Sequence, residues 1–242
     1  IVFMVPYFMW VREDDLPRRK HSISKALGGL GRSLRALKDR RSLLNFLLSS
    51  MFYRDALNGL YGFGGVYATL VLDWQVTSIG IFGIISAISA ALFSWLGGKV
   101  DSSIGPKPVI VGAILGLSLV IVTIVFMDRQ SVFGIALAEG SKLPDIIMFG
   151  AGIVIGGMGG TLQAASRSLM VRHADPASPT EYFGLYGLSG RATAFIAPAL
   201  IGLATTITGS ARLGVSPLIL LFLLGLVLLV WVRPDGEEFT TP

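Results

Sequence analysis

Apolar residues in this chain form long runs rather than the short alternating stretches of a soluble sheet protein. Five runs without a charged residue are each 20–25 residues long, at positions 74–98, 108–127, 146–166, 192–211 and 213–232. A helix needs about 20 predominantly apolar residues to cross the roughly 30 Å hydrocarbon core of a bilayer. Each run is therefore predicted to be a membrane-spanning helix.

Two further apolar segments need separate interpretations. Residues 42–72 are interrupted by Arg54 and Asp55, and we interpret them as a sixth span with charges at depth. The alternative is a pair of short helices that meet at a loop. Residues 1–11 are too short to cross a bilayer and lack the basic region of a signal peptide, so we expect them to end a preceding span.

Composition supports a membrane protein and narrows its chemistry. Hydrophobic residues make up 52% of the chain and charged residues 14%, against about 25% charged residues in a soluble domain. Cysteine is absent and histidine occurs twice, so we expect no disulfide, no thiolate or histidine metal centre and no cofactor. The predicted fold is all-α, a polytopic six-helix transmembrane bundle preceded by the end of another span.

Basic residues concentrate in front of the predicted bundle. Ten of the 20 lysines and arginines lie within residues 12–41. If that region is cytoplasmic, 14 basic residues lie inside and three outside, as the positive-inside rule requires. The predicted order is a span end at 1–11, a cytoplasmic inter-bundle loop at 12–41, the bundle at 42–233 and a cytoplasmic tail at 234–242.

The basic loop has two interpretations. Its leucines at positions 27, 30, 34 and 37 follow helical spacing among basic side chains, which suits a helix lying on anionic lipid at the inner leaflet. A solvated linker is an equal alternative, because glycines interrupt the pattern. The lipid surface already accounts for the positive charge, so nucleic acid is not an expected partner.

Three charged side chains are predicted near the membrane midplane, where ionisable groups are costly and usually functional. At 1.5 Å per residue, Arg54 lies about 16 Å into its helix and Arg191 about 15 Å into another that enters from the same side. Asp55 is expected to pair with one arginine, and it is the candidate proton carrier. The other arginine needs an anion, either a substrate carboxylate or phosphate or an acid in a structural network.

Polar side chains accompany these charges at helical spacing. Arg54, Asn58 and Tyr61 share one helix face, and a second stripe runs from Tyr182 to Thr193. Such stripes face a polar cavity or, alternatively, form hydrogen bonds between helices. The predicted substrate-binding residues are Arg54, Asp55, Asn58, Tyr61, Tyr186, Ser189 and Arg191.

A different arrangement is predicted around Arg167. This arginine lies about four residues from the cytoplasmic end of its helix, so its side chain can reach the surface. Gln163 lies one turn earlier and Ser166 beside it. We predict that the three form a cytoplasmic gate; a simple interfacial anchor is the alternative.

Glycine and proline predict where helices approach or bend. Gly152, Gly156 and Gly160 repeat every four residues, as do Gly112 and Gly116, and small residues at this spacing let helix backbones pack closely. Pro198 is expected to kink its helix.

Two stretches resemble a known transporter superfamily. Residues 97–107 resemble the major facilitator loop signature G-x-x-x-D-R-x-G-R-K, with Asp101 as its acid, Gly105 as its turn glycine and Lys107 as its terminal base. Ser102 replaces the usual arginine, and one extra residue follows Asp101. Residues 163–198 and 53–55 are similar to the vacuole-effluxer branch, which includes autophagy-related amino-acid exporters and bacterial relatives.

The resemblance implies the carboxy-terminal half of a twelve-span transporter that works by alternating access, with a six-helix amino-terminal half as its partner. The implied function is secondary active transport of a small solute, as in export of an amino acid or another carboxylate, with proton coupling as a candidate. The implied location is a bacterial inner membrane. The gating residues expected on its cytoplasmic side are Asp101, Lys107, Gln163, Ser166 and Arg167.

Two other functions are open alternatives. A non-transporting receptor or assembly subunit would bind a ligand without moving it. A membrane-embedded lipid-modifying enzyme would need clustered acids, a histidine–acid pair or a metal site. His21 and His173 are predicted in loops without such a cluster, so an enzyme is not expected.

Overall fold

The computed structural model describes residues 37, 39–176 and 178–236. The predictions for residues 1–11, for the lipid-binding helix in 12–41 and for the last part of the 234–242 tail lie outside these residues. Residues from Arg40 onward form one compact unit, and that unit is described below.

The described residues of this unit form eight helices and one short β-hairpin. These elements are α1 (Arg41–Leu72), α2 (Val76–Ile104), α3 (Pro106–Val125), β1 (Ser131–Val132), β2 (Ile135–Ala136), α4 (Leu143–His173), α5 (Pro179–Ala192), α6 (Ile196–Thr208), α7 (Ala211–Gly214) and α8 (Pro217–Val230). The hairpin pairs Ser131 with Ala136 and Val132 with Ile135. The chain is therefore an all-α membrane protein, as predicted.

Five stretches of the described residues are long and apolar enough to cross a membrane. They are Val76–Ile104, Pro106–Val125, Leu143–His173, Pro179–Thr208 and Ala211–Val230, so the last two crossings consist of α5 with α6 and α7 with α8. α1 is not among them, because polar side chains lower its hydropathy. It is nevertheless one continuous helix of 32 residues through Arg54 and Asp55, so the alternative of two short helices is wrong.

α2 and α4 pack together along a seam of glycines. A side chain at Gly156 would collide with the backbone of Ser86, and one at Gly152 with the ring of Phe82. This close approach confirms the packing predicted from the four-residue spacing. The second predicted pair differs, since Gly116 packs on Met158 whereas Gly112 faces open space.

Ion pairs join the loops at the hairpin end of the bundle. Arg212 lies 2.5 Å from Asp128 and Arg129 lies 2.6 Å from Asp145. Burial raises the pKa of Asp128, but backbone N–H groups of Gln130 and Ser131 and the Arg212 guanidinium outweigh burial, so the net shift is downward. These contacts connect the loop after α3 with the starts of α4 and α7.

At the opposite end, here called the Lys107 end, side chains hold the carboxyl end of α8. Lys107 Nζ donates to the carbonyls of Val230 at 3.1 Å and Val232 at 2.7 Å. The Arg233 N–H donates to Ser42 Oγ at 2.8 Å, and Ser42 Oγ also lies 2.9 Å from His173 Nε2. The ends of α1, α4 and α8 therefore meet around Ser42.

Candidate functional site

The candidate site lies where α1 crosses an interrupted helix. α5 ends at Ala192 and α6 begins at Ile196, with a turn at residues 193–195. Pro198 explains this break, because proline has no N–H and its ring excludes the carbonyl four residues earlier, that of Ala194. The predicted kink is thus a break one turn before the proline.

Asp55 is buried against this break. The residue is 1% exposed, and its Oδ2 accepts a hydrogen bond from the backbone N–H of Ala197 at 2.9 Å. In an unbroken helix that N–H would bond to the Thr193 carbonyl. Asp55 therefore caps the start of α6 from a neighbouring helix, where the helix dipole favours a carboxylate.

The expected ion pair between Asp55 and an arginine does not form. In the described part of the chain the ion pairs are Arg129–Asp145, Arg172–Asp235 and Arg212–Asp128. Successive helix residues point about 100° apart. Arg54 consequently faces α5 while Asp55 faces the start of α6.

Arg54 rests on the aromatic ring and backbone of α5. Its Nη1 donates to the Tyr186 carbonyl at 2.9 Å, and its Cζ lies 4.2 Å from the centroid of the Tyr186 ring. Gly190 leaves the space, because a side chain there would meet the guanidinium 2.5 Å away. The carbonyl and the ring stabilise the cation, but neither carries a neutralising charge.

The ring of Tyr186 continues into an aromatic stack. Phe46 stacks on Tyr186 with centroids 6.0 Å apart, and His173 stacks on Phe46 at 5.6 Å. His173 Nδ1 lies 2.9 Å from the Leu169 carbonyl. This stack connects Arg54 with the Lys107 end of the bundle.

The remaining predicted binding residues separate into two groups. Tyr186 is buried and its carbonyl accepts from Arg54 of α1, whereas Ser189 Oγ donates to the Tyr186 carbonyl at 2.9 Å within α5 itself. Asn58, Tyr61 and Arg191 are exposed. The Tyr61 hydroxyl lies directly over Gly159 of α4.

The predicted gating residues do not form one cluster in the described part of the chain. Ser166 Oγ is buried and lies 2.8 Å from the Tyr53 hydroxyl, so it joins α4 to α1. Arg167 is exposed, Gln163 is half-buried, and Lys107 instead caps α8. Asp101 keeps one buried carboxylate oxygen, Oδ1, without a hydrogen bond to any described residue.

Several residues of the site were missed in the sequence. Tyr53 directly precedes Arg54 and Asp55, and the sequence feature that could have identified it is a hydroxyl group within an apolar run. The role of Gly190, which is to leave space for the Arg54 guanidinium, becomes visible only in the tertiary structure. The Ala197 N–H is a backbone group, and its one sequence signal is the proline that follows.

A cavity adjoins the site between α1 and α6. It is open on one side and has a volume of about 540 Å³, and its lining includes Asn58, Phe63, Val66, Pro198, Ile201 and Thr205. Most of that lining is apolar, and its polar groups are an amide and threonine hydroxyls. No group of three histidine, cysteine or acidic residues that could hold a metal ion occurs among the described residues.

Comparison with known proteins gives a family match over nearly the whole chain. Residues 1–236 match the family described as vacuole effluxer Atg22 like. The chain is 26% identical to the uncharacterized MFS-type transporter YxiO of Bacillus subtilis over 235 residues, which cover 97% of the chain and 51% of that protein.

In the fungal relatives, the matched region covers a smaller share of the relative's own length. The chain is 27% identical to autophagy-related protein 22 of Cryptococcus neoformans, over 78% of the chain and 32% of that protein. It is 25% identical to autophagy-related protein 22-1 of Aspergillus niger, over 95% of the chain and 39% of the relative. The chain thus spans about half or less of these relatives. No solved structure matches it.

Proposed function

The chain belongs to the Atg22-like vacuole effluxer family, and from this membership we propose that it forms one half of a secondary active transporter. The solute is a small carboxylate, with amino acids as the leading class, and it moves by alternating access between this bundle and a second one. The Bacillus subtilis relative is named as an MFS-type transporter and the family as a vacuole effluxer, which agrees with a chain that is not an enzyme.

The observation that carries the proposal is the unbalanced positive charge of Arg54 and Arg191. Asp55, the acid next to Arg54, bonds to a backbone N–H instead of to either arginine. Arg54 has a carbonyl and a ring as partners, and Arg191 is exposed without an ion pair to the described residues. A mid-span cation without a neutralising charge favours an anionic partner, and a guanidinium binds a carboxylate with two parallel hydrogen bonds.

The neighbouring cavity supports a solute that also has an apolar part. A carboxylate on Arg54 and Arg191 would place the rest of the solute beside Asn58 and Pro198, at the entrance to the 540 Å³ cavity. A largely apolar pocket with a few polar groups is typical of small-molecule sites. The second wall of the site would come from an upstream six-helix half.

A coupling ion is proposed to act at Asp55, a role for which the sequence alone suggests a proton. The membrane is proposed to be a bacterial plasma membrane with residues 12–41 in the cytoplasm, near anionic lipid. Reporter fusions at residue 242 and within residues 12–41 would test this orientation, and an outer location of either would contradict it.

Flux in proteoliposomes tests the function. The full-length protein should exchange pooled radiolabelled amino acids across the vesicle membrane. Arg54→Gln and Arg191→Gln should reduce exchange at least about tenfold, because each removes a charge-assisted contact. Arg129→Gln is the matched control, since Arg129 lies at the hairpin end. Solute binding without exchange would indicate a receptor, and full exchange by both site variants would make the arginines structural.

A further inference from the structure

Two buried oxygen atoms at the helix break have no hydrogen-bond partner among the described residues. They are Asp55 Oδ1 and Thr193 Oγ1. Asp55 Oδ2 bonds to Ala197 N–H, which places the carboxylate at the break, and Thr193 is the first residue of that break. An unpaired carboxylate oxygen inside a membrane protein is costly, so a ligand bound at the break would stabilise it.

The backbone at the break adds further oxygen atoms. The Ile196 N–H bonds to the Thr193 carbonyl at 2.8 Å, so it does not reach Ala192. Pro198 has no N–H to give to Ala194. Among the described residues, no backbone N–H bonds to the carbonyls of Ala192 or Ala194. Unwound carbonyls beside a carboxylate are the ligands with which interrupted membrane helices bind small cations.

From this arrangement we infer that the break binds a monovalent metal cation of the size of Na⁺. Asp55 Oδ1 and Thr193 Oγ1 supply its side-chain ligands, and the carbonyls of Ala192 and Ala194 complete the shell. One carboxylate balances one positive charge, whereas Ca²⁺ sites collect several carboxylates. Arg54 on α1 and Arg191 on α5 further oppose a second positive charge nearby.

The contacts favour a metal ion over a proton. Asp55 and Thr193 do not hydrogen-bond to each other, so a proton on Oδ1 would find no acceptor in the threonine. Protonation would also leave the Thr193 hydroxyl and the carbonyls unpaired. A cation between the carboxylate and the hydroxyl would satisfy all of these oxygens at once.

The cation would also change the field at Arg54. While Asp55 is charged, it partly offsets the positive charge of Arg54, the preceding residue of α1. When the cation neutralises Asp55, Arg54 attracts an anion more strongly, so cation and carboxylate should raise each other's affinity. This coupling rests on the proposed function, whereas the cation site does not.

Thermal unfolding of the purified full-length protein without solute tests the site. Replacing choline chloride by NaCl at constant ionic strength and pH should raise Tm in a saturable way, by a few degrees at saturation. Asp55→Asn keeps an acceptor for Ala197 N–H and should abolish the shift. Thr193→Val keeps the shape and should raise the half-saturating NaCl concentration at least about tenfold. Thr208→Val, whose hydroxyl bonds to the Ala204 carbonyl, should respond like the wild type.

Three results would overturn the site. These are an equal Tm in both salts for the wild type, a shift that persists in Asp55→Asn, or a shift that follows pH and ignores Na⁺. If Asp55→Asn does not fold, Thr193→Val decides, because an unchanged half-saturating concentration there contradicts the inference. If NaCl raises Tm but the protein exchanges no solute, the cation site stands and the proposed function is rejected. If the protein exchanges solute but NaCl does not raise Tm, the proposed function stands and the cation site is rejected.

Discussion

Two helix crossings in this bundle use small and polar residues for opposite purposes. At the seam between α2 and α4, Gly152 and Gly156 bring backbones together, and the hydroxyls of Ser89 and Thr161 donate to carbonyls of the facing helix at 2.6 and 2.9 Å. Ser86 Oγ is the one unpaired buried hydroxyl described there, and it is neutral.

At the crossing of α1 with α5 and α6, the unpaired atoms include a carboxylate oxygen of Asp55. Leaving a charged group unpaired costs far more than leaving a hydroxyl unpaired. The comparison teaches that the seam is closed by contacts between its two helices, whereas the charged crossing keeps a carboxylate oxygen to which a ligand could bind.

The largest effect is expected at the seam. Gly156→Ala would place a methyl group against the Ser86 backbone, which cannot rotate away as a side chain could, so we expect a loss of about 4 kcal/mol or more, or failure to fold. Gly112→Ala, at an open position of α3, should be neutral or raise stability by up to about 1 kcal/mol. Unfolding midpoints in detergent measure both, and equal midpoints would remove the distinction.

The next effect separates two tasks of Asp55. Asp55→Ala leaves the Ala197 N–H without its acceptor, so the free energy of unfolding should fall by about 1–3 kcal/mol. Asp55→Asn keeps that acceptor and should fold nearly as stably as the wild type while losing ion coupling in vesicles. Equal stability of the alanine and wild-type proteins would show that the cap at α6 contributes nothing.

A smaller effect is expected at Tyr186. Tyr186→Leu removes the ring beneath Arg54 but keeps the backbone carbonyl that accepts from it. A cation–π contact contributes about 0.5–2 kcal/mol, so solute affinity should fall about two- to thirtyfold. Tyr186→Phe keeps the ring and should bind like the wild type. A phenylalanine variant as weak as the leucine variant would show that the ring does not position Arg54.

The smallest effect belongs to the hairpin end, far from either crossing. The lowered pKa of Asp128 means that its ion pair and backbone contacts stabilise the fold above the unfolded-state pKa of about 3.9. This contribution should disappear as pH falls through the still lower folded-state value. Asp128→Asn should flatten that part of the acid-stability curve, and an unchanged curve would contradict the assignment.

Long charge-free runs were enough to predict five spans and the all-α class, because bilayer thickness sets helix length directly. The charged segment could also be recognised as a helix, although Arg54 and Asp55 left its continuity open. The glycine seam followed from spacing at Gly152 and Gly156, but nothing local distinguishes Gly112, whose surroundings depend on which helix faces it.

The site was predicted less completely. Residue types placed Arg54 and Asp55 at depth, yet their directions depend on the rotation of α1 against its neighbours, so the expected ion pair was wrong. The partner of Asp55 is a backbone N–H released by Pro198, a group that every residue except proline carries. Only the tertiary structure shows which one is free.

Discrimination between a carboxylate and its amide tests the central claim most directly. Exchange of a transported amino acid against its uncharged carboxamide analogue should be compared for the full-length wild type, Arg191→Gln and Arg129→Gln. The account predicts that the wild type and Arg129→Gln prefer the carboxylate at least about tenfold, and that Arg191→Gln loses this preference. An equal preference for the carboxylate in all three proteins would contradict it.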